Sequence, residues 1–189
     1  MSKEEILSDE KLAELIQQGD KEKFALIMER YQGKLFRYGK KFLSNDDNIE
    51  DVVQDVFIKV YENILSFNPE QRFSPWIYRI AHNTYGNTLK KNSRGPLYLF
   101  DFDTLISHTV VDDPIAKEKE SAEIRKMIDH SLLLIPTKYR EVLILYYIEG
   151  LSYKEISDVL QIPIGTVGVR VMRGRELLKK RFEEISKEK

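Results

Sequence analysis

The residues of this chain with the most legible chemistry are the cations that follow Gly165. Between Gly165 and Phe182 stand Arg170, Arg173, Arg175, Lys179, Lys180 and Arg181 against the single acid Glu176, in a chain whose formal net charge is -1. Clustering of this kind neutralises phosphates, and arginine or threonine beside it can read base edges in a groove. Chemistry of that sort needs a rigid element to present it. The stretch LSYKEISDVLQIPIGTVGVRVMRGRELLKKRF supplies one, because it reads as two helices joined by a tight turn. Ser152 and Glu155 have capping-box spacing, and Leu151 and Ile156 sit where a hydrophobic staple would. The first helix therefore starts at about Tyr153 and runs to about Leu160, since Pro163 cannot continue it. The second opens near Ile164 and buries Val167, Val171, Gly174 and Leu178, which leaves Thr166, Arg170 and Arg173 outside. Capped amphipathic helices also build ordinary bundles, and the cationic face is what favours a helix-turn-helix with its second helix in the major groove.

The rest of the charge is segregated too. Residues 1–20 hold six acids and two bases; residues 70–94 hold Arg72, Arg79, Lys90, Lys91 and Arg94 against Glu70; Leu97 to Pro114 carries Asp101, Asp103, Asp112 and Asp113 with no lysine or arginine. Two cationic patches thus flank an acidic stretch, which points to two contacts with nucleic acid and a different role between them. With 42% hydrophobic residues and no low-complexity tract the chain is expected to fold. It has no cysteine, and His82, His108 and His130 lack ligand spacing, so neither disulfide, metal nor cofactor is expected. Without a phosphate loop or nucleophile motif an enzyme is disfavoured. Neither a signal peptide nor a bilayer-spanning run is evident, so a cytoplasmic protein without membrane insertion is expected.

Upstream, helical periodicity predicts helices over about 9–18, 20–43, 46–65 and 73–91, then 117–133 and 137–149 after a long break. The third is the most regular: Ile49, Val52, Val53, Val56, Phe57, Val60, Tyr61 and Ile64 form one face, with Glu50, Asp51, Gln54, Asp55, Ile58 and Lys59 opposite. Such an acidic face is solvated by default. Ser93 to Ala116 has no helical period, yet it is too apolar and aromatic for a plain spacer. The expected fold is all-α: two small helical domains, 1–95 and 117–189, joined by an irregular linker over 96–116.

Two long motifs in order then carry a resemblance. DNIEDVVQDVFIKVYENILSFNPEQRFSPWIYRIAHNTYGNTLKK resembles the second conserved region of bacterial RNA polymerase sigma factors, and LLIPTKYREVLILYYIEGLSYKEISDVLQIPIGTVGVRVMRGRELLKK resembles the fourth. The short two-domain layout is similar to the extracytoplasmic-function class, group 4. The resemblance implies a promoter-specificity subunit with core RNA polymerase and promoter DNA as partners, and an anti-sigma factor as a further one. It implies that Glu50, Asp51, Gln54, Asp55 and Ile58 meet the polymerase, that Thr166, Arg170, Arg173 and Arg175 read the minus-35 element, and that Phe67, Arg72, Phe73, Trp76, Arg79, Asn83, Asn87 and Lys90 recognise and melt the minus-10 element. Phe73 and Trp76 also lie beside the Ile77, Ile80 and Ala81 stripe, where packing is the competing role. For the four linker aspartates the resemblance implies phosphate mimicry in a polymerase channel. The chain departs from the family at Gly168 and Val169, where Lys-Ser is common, at Gly174 in place of a common alanine, and at His82 in place of a frequent arginine. A helix-turn-helix regulator that acts without polymerase is the alternative.

Overall fold

A computed structural model describes residues 7–40, 42–43, 45–92 and 116–187. Among them every regular element is helical: α1 (Asp9–Gln17), α2 (Phe24–Gly39), α3 (Asp46–Asn63), α4 (Phe73–Asn92), α5 (Ala116–Leu133), α6 (Thr137–Leu143), α7 (Tyr153–Leu160) and α8 (Ile164–Lys187). Short-range chemistry sets most boundaries. Ser8 caps α1 by accepting from the Lys11 amide at 3.2 Å, and Asn45 caps α3 by accepting from the Asn48 amide at 3.2 Å. The chain leaves α1 through Gly19 at φ 107° and leaves the helical run after α6 through Gly150 at φ 65°, both left-handed positions that favour glycine. The expected second helix differs at both ends: Lys21–Lys23 is a 3-10 turn, and α2 stops at Gly39. The run expected over 137–149 also divides, since Ile144–Ile148 winds as a π turn after α6.

The N-terminal unit packs α1, α2 and α3 around α4. Leu12, Ile27, Tyr31, Leu35, Ile49, Val56, Val60, Phe73, Ile77 and Ala81 are all at or below 1% exposure, so the periodic faces read from sequence meet in one core, except that Tyr61, expected on the core face of α3, is 40% exposed at its edge against Phe24. Gly39 permits the Tyr85 ring to lie against the α2 backbone, where any Cβ would collide with it. In the C-terminal unit α6 and α5 rest on α8, and the Arg140 side chain closes the α5–α6 corner by donating to the carbonyls of Leu132 (2.7 Å), Leu133 (2.7 Å) and Ile135 (3.0 Å). Burial holds that guanidinium below its ordinary pKa. The two units are not separate bodies. Helix α4 lies against α7, and Tyr38, Tyr78, Leu145 and Leu151, all buried, belong to one continuous apolar cluster.

Candidate nucleic-acid interface and partner surface

The C-terminal surface is assembled by local rules. The reciprocal capping box forms as expected: Ser152 Oγ accepts from the Glu155 amide at 3.3 Å, and Glu155 Oε2 accepts from the Ser152 amide at 2.7 Å. Burial pushes the Glu155 carboxyl up, but the Ser152 hydrogen bonds and the Arg72 charge outweigh it and hold the group below its ordinary value. The chain leaves α7 through Gln161 at φ 53°. Ser157 Oγ donates to the Ile162 carbonyl at 2.6 Å, which fixes the turn before Pro163. Helix α8 then buries Val167, Val171 and Gly174 of its expected stripe, while Leu178, the fourth member, is only half-buried.

On a helix of 3.6 residues per turn Thr166, Arg170 and Arg173 share one side. Arg175 does not. It stands nine residues, or about two and a half turns, beyond Thr166, and emerges on the opposite side. There it lines an apolar groove of about 670 Å³ with Ile128, Tyr147, Met172 and Phe182. Helical geometry therefore puts Arg175 on a different side of α8 from Thr166, Arg170 and Arg173, with which the resemblance groups it. Val169 falls on the Thr166 side instead, 44% exposed, and its signal was present in the spacing though not in the charge.

The surface of α4 is built differently. Arg79, Asn83, Asn87 and Lys90 are exposed, and their spacing places them along one strip of the helix. The loop before them, 67–72, is held from α1: Gln17 Nε2 donates to the carbonyls of Ile64 and Phe67, each at 2.7 Å, and Glu10 Oε1 accepts from the Phe73 amide at 3.0 Å. No pattern in the sequence marks Glu10 or Gln17 for that task. The aromatic rings are internal. Phe73 is 0% exposed and Phe67 5%, with centroids 5.2 Å apart, and Trp76 is half-buried against both at 5.4 and 5.2 Å. Phe67 and Phe73 therefore have no free face for a base in this arrangement, because core packing has taken their surfaces. Arg72 is likewise engaged: its Nη1 donates to Glu155 Oε1 and Oε2 at 3.0 and 3.1 Å, across the two units.

Helix α3 presents the third surface. Glu50, Asp51, Gln54, Asp55 and Ile58 are all exposed, with Ile58 at 55% and Leu65 beyond it at 74%. Opposite them Val52, Val53, Val56 and Val60 are buried, so the acidic strip is free of any structural task in the core. A face that mixes carboxylates with exposed aliphatic groups suits a cationic, amphipathic partner. Asp101, Asp103, Asp112 and Asp113 lie outside the described residues. Among those described, no group of three or more His, Cys, Asp or Glu could hold a metal, and no helix is long and apolar enough to cross a membrane.

Both units of the chain match known proteins. Residues 27–95 match the family model described as Sigma-70 region 2, and residues 125–178 match Sigma-70, region 4. The ECF RNA polymerase sigma factor SigW of Bacillus subtilis is 36% identical over 178 residues, covering 90% of this chain and 94% of the relative. The ECF RNA polymerase sigma-E factor of Haemophilus influenzae is 35% identical over 187 residues, covering 96% and 98%. Among solved structures, CnrH in complex with the cytosolic domain of CnrY superposes with a TM-score of 0.63 at 24% identity, over 93% of this chain and 97% of that one. The sigma factor RpoE in complex with the anti-sigma factor NepR, from Bartonella quintana, gives 0.63 at 22% identity, over 85% and 96%. These two likenesses concern the fold.

Proposed function

Because the chain belongs to the extracytoplasmic-function sigma factors of RNA polymerase, we propose that its surfaces divide promoter use among them. As an alternative sigma factor it binds core polymerase and directs it to specific promoters. The acidic strip of α3, Glu50, Asp51, Gln54, Asp55 and Ile58, docks on the core enzyme. Thr166, Arg170 and Arg173 of α8 read the minus-35 element, and Arg79, Asn83, Asn87 and Lys90 of α4 engage the minus-10 element as its strands part. The acidic linker occupies a cationic channel of the polymerase. The chain does no covalent chemistry itself, works in the cytoplasm, and is held in reserve by an anti-sigma factor.

One observation carries this division: the acidic strip of α3 is exposed while Ile49, Val52, Val53, Val56, Phe57 and Val60 opposite it are buried, so its charges are not spent on the fold and are open to a partner. The test is charge reversal, Asp51→Lys with Asp55→Lys. Surface changes of this kind alter stability by less than about 0.5 kcal/mol, so holoenzyme assembly should be lost while the thermal midpoint is kept. Normal assembly by the double variant overturns the docking assignment. A regulator acting without polymerase would shift promoter duplex by itself, whereas this reading requires the core enzyme for the shift.

A further inference from the structure

Val169 breaks the pattern of the helix that carries it. It is 44% exposed on α8 and belongs neither to the buried stripe nor to the cationic set. At about 100° per residue, a position two residues after Val167 and two before Val171 points directly away from the face that those residues bury. Val169 therefore occupies the midline of the outward side, with Arg173 about 40° and Thr166 about 60° to one flank. Gly165 lies about 40° to the other flank. It presents no side chain, and a Cβ there would meet nothing within 4 Å. Within its first two turns, the midline of α8 thus carries this valine and a glycine, and nothing longer holds the helix off a surface that it enters.

A single exposed aliphatic side chain is ordinary on a protein surface. Its place distinguishes this one. Valine loses side-chain freedom in a helix, and at this position no packing compensates for it. Nor does Val169 line the apolar groove that Met172 enters, so that groove does not account for it. When a recognition helix enters the major groove, its outward side meets base edges while its flanks reach the phosphates. Adenine, guanine and cytosine present hydrogen-bonding groups on those edges, and thymine adds a 5-methyl group beside its O4 acceptor. An isopropyl side chain neither donates nor accepts. Against the first three bases it strips water from a polar group and returns no hydrogen bond, whereas against thymine two apolar surfaces are buried together. Discrimination then comes from attraction to one base and a penalty at the others.

We propose that Val169 is a specificity-determining residue of the minus-35 surface, which selects a thymine through its 5-methyl group. The inference rests on the reading of α8 as the helix that enters the minus-35 element. Thr166 and Arg173 beside it can hydrogen-bond to base edges, and Val169 adds a choice that hydrogen bonding does not make. Uracil has the same pairing and hydrogen-bonding edges as thymine and lacks only the methyl group, so the contact can be removed from the DNA side as well as from the protein side.

Holoenzyme assembled from core RNA polymerase and the full-length chain, offered promoters randomised across the minus-35 element, should enrich thymine at one position or more. Val169→Ser should lose that enrichment at one position and keep the preferences elsewhere. Because the side chain is exposed, the variant should keep the parent's thermal midpoint. At the affected position, deoxyuridine in place of thymidine should weaken the parent's promoter complex about fourfold, the worth of one buried methyl group, and leave the Val169→Ser complex unchanged. Identical selection by parent and variant, or an equal uracil penalty in both, overturns the assignment while the minus-35 reading of α8 stands. A holoenzyme indifferent to the whole minus-35 library overturns that reading and the inference with it.

Discussion

The α7–α8 pair and the α4 surface, which the proposed function gives related work, carry similar side chains yet are assembled by opposite means. In the first, cap, staple, turn and buried stripe all lie between Leu151 and Leu178, so each functional side chain is positioned by residues within a few turns of it. In the second, the loop before α4 is tied by Glu10 and Gln17 from α1, and Arg72 at its edge pairs with Glu155 of the other unit. A locally built surface can lose one contact without disturbing the rest. A surface held from distant points couples its function to the fold, and substitutions there report on both.

The largest effect should expose that coupling at Phe73. Its side chain is fully buried against Tyr31, Phe67 and Trp76, so Phe73→Ala should cost about 3–5 kcal/mol of stability and abolish promoter opening with it. Phe73→Leu preserves most of the volume and removes the ring. If the ring serves the core alone, Leu should keep most of the stability, and permanganate reactivity of minus-10 thymines should recover in step with the folded fraction. A well-folded Leu variant that fails to open DNA would instead assign the ring to base stacking.

Arg170→Ala should behave in the opposite manner. Half-buried on the outward side of α8 one turn after Thr166, it can be removed without touching Val167 or Val171. Loss of a base contact predicts about 1–3 kcal/mol at promoters with an intact minus-35 element and little change in the thermal midpoint. Equal losses on intact and scrambled elements would reduce Arg170 to a phosphate contact.

That contrast also explains what was legible from the sequence. The start of α7 at Tyr153, its capping box, and the Val167, Val171 and Gly174 stripe follow from periodicity and caps, both local properties. The acidic strip of α3 was legible for the same reason. Arg175 belongs to the same cationic run yet lies on another side of α8, because a cluster in sequence is not a face in space until the half-turns are counted. The buried Glu141 was hidden in a different way. Arg140, Glu141, Val142 and Leu143 are consecutive and all buried, so no alternation of polar and apolar residues in this half of α6 marks Glu141 as inward. Its partners Tyr38 and His82 lie 103 and 59 residues away, beyond any local rule.

Asn83 tests the α4 surface on a smaller scale. Its side chain is exposed on the helix beyond the anchored loop, and no structural role competes with a contact to the separated strand. Asn83→Ala should lower open-complex formation by the value of one hydrogen bond, about 0.5–1.5 kcal/mol, while polymerase occupancy is unchanged. A template already mispaired at minus-10 should recover only the portion due to strand separation. Normal thymine reactivity in the variant would remove Asn83 from the melting surface.

The smallest effects discriminate most finely, because α8 carries two glycines where the family commonly has larger residues. A Cβ at Gly168 would meet only the Tyr153 ring, at 3.5 and 3.9 Å, which is ordinary contact. A Cβ at Gly174 would meet Leu143 Cδ1 and Cγ at 3.2 Å, closer than packed side chains normally approach, so this glycine sets how near α6 comes to α8. Alanine at either site gains about 1 kcal/mol of helix propensity. At Gly168 nothing opposes that gain, and Gly168→Ala should raise stability by about 0.5–1 kcal/mol. At Gly174 the buried Leu143 side chain must give way by a few tenths of an ångström, and overpacking of this kind costs about 1–3 kcal/mol, so Gly174→Ala should be neutral to destabilising. Urea denaturation of the two variants beside the parent measures the difference directly. Equal stabilisation by both would mean that α8 obeys local rules along its whole length and that the approach of α6 is loose; opposite signs would locate the point, one turn after Arg170, where the locally built surface begins to depend on the fold beneath it.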